Sequence, residues 1–147
     1  MLLNMSMTLS KEQEWIEHIE QLEKSTTAST KEFLKQMLVD AIKKLIPKEK
    51  FGIFLSGGVD STFIVMVCKQ QNADFICYSV GLKDSPDIIA SKNAAKLLGL
   101  QHKFKEYSVE ETEELFKKTA KLVLTPDVVT IGVGAVIYAA VELAKKD

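Results

Sequence analysis

The stretch Phe51-Gly52-Ile53-Phe54-Leu55-Ser56-Gly57-Gly58-Val59-Asp60-Ser61-Thr62-Phe63-Ile64-Val65 decides how this chain is read. Its first five residues form a short, almost wholly apolar run, which suits a strand covered on both faces in a parallel sheet. A polar hexapeptide, residues 56–61, follows. Apolar residues then predict a helix from about Ser61 to Gln71. A strand, a glycine-rich loop and a helix in this order can hold an anion, because the helix start offers free N–H groups and a positive dipole end. Gly57 and Gly58 remove Cβ atoms where ligand oxygens would press in, and they tolerate φ > 0. Ser56, Ser61 and Thr62 add hydroxyl donors. Asp60 is the odd member, since a carboxylate repels phosphates. It fits if Mg²⁺ lies between them, because that ion takes one or two carboxylates together with phosphate oxygens. A Gly-Gly pair alone fits an ordinary turn equally well. The whole hexapeptide, set between an apolar strand and an apolar helix, is what points to phosphate. The loop lacks the lysine and spacing of GxxxxGK[ST], and it is not GxGxxG.

Downstream, Phe75-Ile76-Cys77-Tyr78-Ser79-Val80 reads as a second strand. Ser85 can cap the next helix, with Pro86 at its first position and Gly99 just past its end. His102-Lys103-Phe104-Lys105 is a weaker, alternating strand. Ser108 and Glu111 have capping-box spacing ahead of Leu115, Phe116 and Ala120. A last helix covers about Thr130 to Lys145. Its apolar run, Val128 to Val141, is shorter than the ~20 residues a membrane span needs and reads as a buried helix.

Upstream, residues 1–9 read as a frayed start, and Ser10 with Gln13 as a capping box opening a helix. Trp15, Ile16, Ile19 and Leu22 share one face of it. Residues 25–30 form a polar linker. Thr30 can cap a second helix with the stripe Phe33, Met37, Leu38, Ala41, Ile42 and Leu45, ended near Pro47. The expected organisation is a helical segment over 1–48 and a nucleotide-type domain over 49–147. From residue 51 the alternation predicts an α/β fold, a parallel β-sheet sandwiched by helices with an N-terminal helical extension. Right-handed crossovers put its ligand at the carboxyl ends of the strands, where the loop after Leu55 and the turn after Val80 both lie.

The chain has 147 residues, 46% hydrophobic and 27% charged, with a net charge of −1. One compact domain with a real core is expected. The charge balance argues against a strongly basic nucleic-acid surface. Cys68 and Cys77 sit in apolar runs without metal-ligand spacing and read as buried small hydrophobes. No signal peptide is evident at the start, so a cytoplasmic protein without a membrane partner is expected. His18 reads as solvated and His102 as a surface or strand-end residue. The Glu110, Glu111, Glu113 and Glu114 cluster reads as helix-start charge bias followed by Lys117 and Lys118.

The hexapeptide Ser56-Gly57-Gly58-Val59-Asp60-Ser61 resembles the SGGxDS signature of the N-type ATP pyrophosphatases. That superfamily of adenine nucleotide alpha hydrolase-like, Rossmann-like domains includes asparagine, GMP, NAD and argininosuccinate synthetases and tRNA-thiolation enzymes. Ser79-Val80-Gly81-Leu82, then Ser85-Pro86-Asp87, Ala90, Ala94-Ala95 and Leu98-Gly99 before His102 are similar to the synthase domain of asparagine synthetase. Thr125-Pro126-Asp127-Val128-Val129-Thr130-Ile131 resembles that family's YDVTTI stretch. The resemblance covers residues 33–145 loosely and 51–131 well. It implies ATP cleavage between the α- and β-phosphates, adenylation of a substrate acid such as aspartate, and displacement of AMP by a nitrogen nucleophile. By position it implies that Leu55 and Val80 contact the nucleoside through backbone groups, with Val80 next to the adenine, and that Gly81 belongs to the same nucleotide-binding set. Ser56, Gly57, Gly58, Ser61 and Thr62 would cradle the pyrophosphate. Asp60 would hold Mg²⁺, and Asp87 would lie nearby, although an acidic residue at a helix start is also favoured by the dipole alone.

Three positions depart from that family pattern. Leu2 stands where glutamine-dependent members carry a catalytic cysteine, and the segment before Phe51 is too short for their glutaminase domain. Nitrogen is therefore expected as free ammonia or from a partner. Gly132 stands where the family places an arginine for the substrate acid. The sequence reaches Asp147 about where an SGEGSDE-type strand and loop would begin, so a fragment, or a site completed by a homo-oligomer or separate partner, is expected. Two readings thus stand: an ATP-dependent carbon–nitrogen ligase, and a non-catalytic or split ATP-binding module. A third, adenylation of a tRNA base, is opposed by the lack of a basic stripe.

Overall fold

The computed structural model describes residues 2–25 and 30–147, with side chains from residue 12 onward. They fall into two compact units, Met1–Leu38 and Val39–Asp147.

In the first unit, helix α1 runs Leu2–Ser25 without interruption. The expected frayed start and the helix opening at Ser10 are therefore corrected: the backbone is helical on both sides of Ser10. Leu and Met dominate residues 2–9 and are good helix formers, so nothing there obliges the helix to begin at a serine. Trp15, Ile16 and Leu22 are exposed. Of the expected linker, residues 26–29 lie outside the described residues. Helix α2, Lys31–Leu45, contributes residues to both units and opens as read, with the Phe33 N–H donating to Thr30 Oγ1 at 3.2 Å. None of its residues is fully buried, so its apolar stripe covers no closed core.

The second unit holds a three-stranded parallel sheet in the order β1-β2-β3, formed by β1 (Phe51–Phe54), β2 (Phe75–Leu82) and β3 (His102–Tyr107). Phe51 registers with Phe75, and Cys77 with His102. Four helices complete it: α3 (Val59–Gln70), α4 (Pro86–Leu98), α5 (Val109–Val123) and α6 (Val128–Ala144). β2 and β3 extend past their expected ends because Gly81 pairs with Glu106 and Leu82 with Tyr107. α3 starts two residues earlier than expected.

Side chains alternate between the sheet faces. Cys77 joins Leu55, Val65 of α3 and Ala95 of α4 in a buried cluster backed by Ile53, Phe75, Leu98 and Leu100. Burying a residue such as Val65 contributes roughly 1.5–3 kcal/mol. On β2, Tyr78 and Val80 line one cleft with Val136 and Ala140 of α6. Helices thus cover both faces, as the alternation predicts. Both cysteines are buried and unbridged, and burial pushes the Cys77 thiol up to about 11, away from reactivity.

The capping reading holds at α5 and changes at α4. Ser108 accepts from the Glu111 N–H and Glu111 returns a carboxylate to the Ser108 N–H, a complete capping box. Gly99 ends α4 in the left-handed region at φ 58°. Ser85 occupies the N-cap position, but its hydroxyl makes no cap bond. The reading of α6 as a buried helix is also corrected. Ala135, Ala139 and Ala140 are buried, whereas Val128, Val129, Val133, Val136 and Ile137 are exposed. The alanines allow close approach to the sheet and leave most of the branched side chains outside, Val136 bordering the cleft beside β2. Among the described residues, no single helix is long and apolar enough to cross a membrane.

Candidate functional site

The chain leaves the sheet at Leu55, whose N–H still donates to the Tyr78 carbonyl at 2.9 Å. Residues 56–61 then fold into a closed ring of hydrogen bonds. The Gly58 N–H donates to Ser56 Oγ at 3.3 Å, Ser61 Oγ donates to the Gly58 carbonyl at 3.3 Å, and the two hydroxyls are 3.0 Å apart. A hydroxyl has one hydrogen, so with Ser61 committed to the carbonyl, Ser56 donates to Ser61.

Gly57 has φ +81°, and a Cβ there would lie 2.4 Å from the Ala90 carbonyl carbon and 2.5 Å from the Ser91 nitrogen of α4. Only glycine fits. Gly58 differs from the sequence expectation. Its φ is −70°, open to any residue, and a Cβ would meet only Ser56 Oγ at 3.4 Å. What Gly58 contributes is a bare N-cap: no side chain caps α3, so the first N–H groups of the helix are left for a ligand or solvent. Asp60 stands exposed in the first turn of α3, and Thr62 Oγ1 is buried without a hydrogen-bond partner.

Beside the loop, at the carboxyl ends of β1 and β2, lies a cleft of about 330 Å³, within the size range of small-molecule sites. The structure brings Leu55, Ser56, Val80, Gly81 and Asp87 together in its wall. Ser85 also lines it, and its hydroxyl is a second buried polar atom without a partner. Gly57, Gly58, Asp60, Ser61 and Thr62 belong to the adjoining loop and helix start. A larger groove of about 680 Å³ is walled by β3 and α5, including Lys105, Tyr107 and Glu111, and contains no loop residue. Its acidic residues are engaged locally: Glu110 accepts from the Ser108 hydroxyl at 2.7 Å, Glu111 serves the cap, and Glu114 pairs with Lys117 at 2.9 Å.

Two residues of the site escaped the sequence reading. Ser79 is buried, and its hydroxyl donates to the Leu55 carbonyl at 2.5 Å. His102, expected at a surface or strand end, opens β3 and is half-buried, with Nε2 2.8 Å from the same hydroxyl. Burial, then the nearby Lys92 charge, lowers the pKa of His102 and favours the neutral ring. No local signal could have found this pair, because its partners lie 24 and 23 residues apart.

The third motif is less closely built. Asp127 caps α6, accepting from the Thr130 N–H at 2.7 Å and the Thr130 hydroxyl at 2.5 Å. Those hydrogen bonds hold its carboxyl below the usual range. A Cβ at Gly132 would meet only Phe116, at 3.8 Å, so glycine is not required there. Gly134 does need its missing side chain, since a Cβ would lie 2.9 Å from Thr119 Cγ2.

The metal reading can be tested on these groups. Among the described residues no three acidic, histidine or cysteine side chains converge on a cation site. A magnesium ion at Asp60 would therefore take its other ligands from phosphate oxygens and water, the usual situation for that ion. The exposed carboxylate beside an uncapped helix start fits such an arrangement.

Comparison with known proteins matches residues 33–147 to the asparagine synthase family. The chain is 39% identical over 118 residues to a protein described as a glutamine-hydrolyzing asparagine synthetase from Methanocaldococcus jannaschii, covering 80% of this chain. It is 33% identical over 100 residues to the nodule asparagine synthetase of Pisum sativum, covering 61% of this chain. It spans only 22% and 17% of the lengths of those relatives. Among solved structures, the NH3-dependent NAD synthetase of Campylobacter jejuni superposes with a TM-score of 0.54 at 17% identity, over 81% of this chain and 52% of that one. That similarity shows a shared fold.

Proposed function

Because this chain belongs to the asparagine synthase family, we propose that it is the ATP-binding part of an ATP-dependent carbon–nitrogen ligase. In this reading Mg-ATP lies with its adenosine in the cleft, against the backbone of Leu55, Val80 and Gly81. Its β- and γ-phosphates meet Ser56, Gly57, Gly58, Ser61 and Thr62. Asp60 is the protein ligand of Mg²⁺, which when bound offsets the phosphate charge. The observation that carries the proposal is the loop itself: a glycine pressed against α4, a hydroxyl ring and an uncapped helix start, all opening beside one cleft.

The chemistry follows from that placement. An oxygen of a substrate carboxylate, from aspartate or another acid, attacks the α-phosphorus. The bond to the bridging oxygen breaks, and pyrophosphate leaves with that electron pair. The loop's N–H and hydroxyl groups stabilise the charge collecting on the leaving group. Ammonia then attacks the acyl carbon, AMP departs, and the nitrogen gives up a proton. Ammonia comes free or from a partner, and the setting is cytoplasmic.

A calorimetric titration with ATP, with and without Mg²⁺, tests the binding step. Asp60→Ala is expected to abolish the Mg²⁺-dependent part; unchanged ATP handling in that variant sinks the assignment. Pyrophosphate release on addition of candidate acids tests the chemistry.

A second reading is favoured by Gly132 and by β1, which stands at the edge of the sheet with Phe54 45% exposed. The chain would then be an ATP-binding module whose site is completed by a second copy or another polypeptide. It predicts ATP binding with no pyrophosphate release until that partner is added.

A further inference from the structure

Ser79 is only 6% exposed in the body of β2, yet its hydroxyl reaches sideways out of its own strand. The Leu55 carbonyl can only accept, so the single hydroxyl hydrogen of Ser79 is committed to it at 2.5 Å. His102 Nε2, 2.8 Å from the same oxygen, must then carry a hydrogen and donate into a Ser79 lone pair. The three residues sit on three successive strands: Leu55 just after β1, Ser79 within β2, His102 at the first position of β3. The ring of His102 lies 5.7 Å from that of Phe104, over which the Lys92 ammonium sits at 4.0 Å.

We propose that His102 and Ser79 are positioning residues for the phosphate loop, acting through the Leu55 carbonyl. The Leu55–Ser56 peptide is the last one before the loop. Its carbonyl is held by Ser79, and the Leu55 N–H by Tyr78, so residue 55 is held on both sides. The direction in which Ser56 leaves the sheet is set there, and with it the aim of the Ser56 hydroxyl and of the Gly57–Gly58 backbone. Leu55 and Ser79 both line the cleft. This role rests on the nucleotide reading of the loop, although its geometric part does not.

Amide hydrogen exchange followed by NMR on the nucleotide-free chain, paired with calorimetric titration of Mg-ATP, tests the proposal. The variants are Ser79→Ala, His102→Phe and His102→Gln. Ser79→Ala and His102→Phe are expected to speed exchange at Leu55 and Gly58 about tenfold, and to weaken Mg-ATP binding about tenfold, the scale of one hydrogen bond. Amides in the middle of α3 and α4 should stay unchanged. His102→Gln, whose side-chain amide can donate to Ser79, should remain within about threefold of the parent chain. Equal loop exchange in all three variants and the parent overturns the proposal. So does acceleration spread evenly over the sheet and its helices, or identical behaviour of His102→Phe and His102→Gln. Should Ser79→Ala not fold, the two His102 variants decide alone. If the parent chain binds no Mg-ATP, the nucleotide reading falls, and loop exchange still decides whether the relay exists.

Discussion

The loop at residues 56–62 and the start of α6 carry two stretches of one family resemblance, but they are built differently. In the loop nearly every group is constrained. Gly57 is pressed on α4, Ser56 and Ser61 bond each other, and the Leu55 peptide is fixed from both sides. At the start of α6 only the Asp127 cap is fixed. Val128, Val129 and Val133 face solvent, and Gly132 has room for a side chain that it does not use. The contrast teaches that the loop is held in one shape by its own contacts, whereas the start of α6 is held chiefly by its cap.

The largest break in that contrast should come from Gly57→Ala. A left-handed backbone and a Cβ 2.4 Å from a helix carbonyl carbon together should cost about 3 kcal/mol, read in urea denaturation, and should remove ATP binding. The parallel Gly58→Ala should fold normally. If both variants unfold alike, the loop is not shaped as described. Gly134→Ala comes next. Its Cβ would press on Thr119 and Val123 between α5 and α6, and overpacking should cost about 1–2 kcal/mol.

Gly132→Ala should move the other way and stabilise by up to about 1 kcal/mol, since helical glycine is costly and nothing opposes a side chain there. Failure to stabilise would mean that α6 is more closely packed than its exposure indicates. The smallest effect concerns pH. The carboxyl of Asp127 is lowered by its bonds to Thr130. Its contribution is therefore complete above the ordinary aspartate value of 3.8 and is lost as pH falls through the lowered one. Denaturation midpoints of Asp127→Asn should be less acid-sensitive than the parent's in that window.

Much of this was legible because it is written locally. The apolar run 51–55, the glycine loop, Pro86 and Gly99 around α4, and Ser108 with Glu111 are all signals that one short stretch supplies. The misread features lack such signals. Ser10 has capping-box spacing, but α1 had already begun at Leu2. The alanines and valines of α6 both count as apolar, so composition could not tell the face against the sheet from the face against solvent. Gly57 and Gly58 look equivalent in sequence, and only φ separates them. Ser79 and His102 acquire their roles from strand register, which brings distant residues together.

The hydroxyl ring of the loop has a consequence for selectivity. Its bonds, at 3.0 to 3.3 Å, are long for hydroxyl groups. They keep the serines oriented without saturating them. A ligand takes these hydrogens only by outbidding a hydroxyl and a carbonyl oxygen. A charged phosphate oxygen does so, because its hydrogen bonds are roughly twice as strong as neutral ones. A water molecule or a sugar hydroxyl gains nothing by the exchange. In the proposed nucleotide site the ring would therefore act as a threshold that favours anions over neutral ligands.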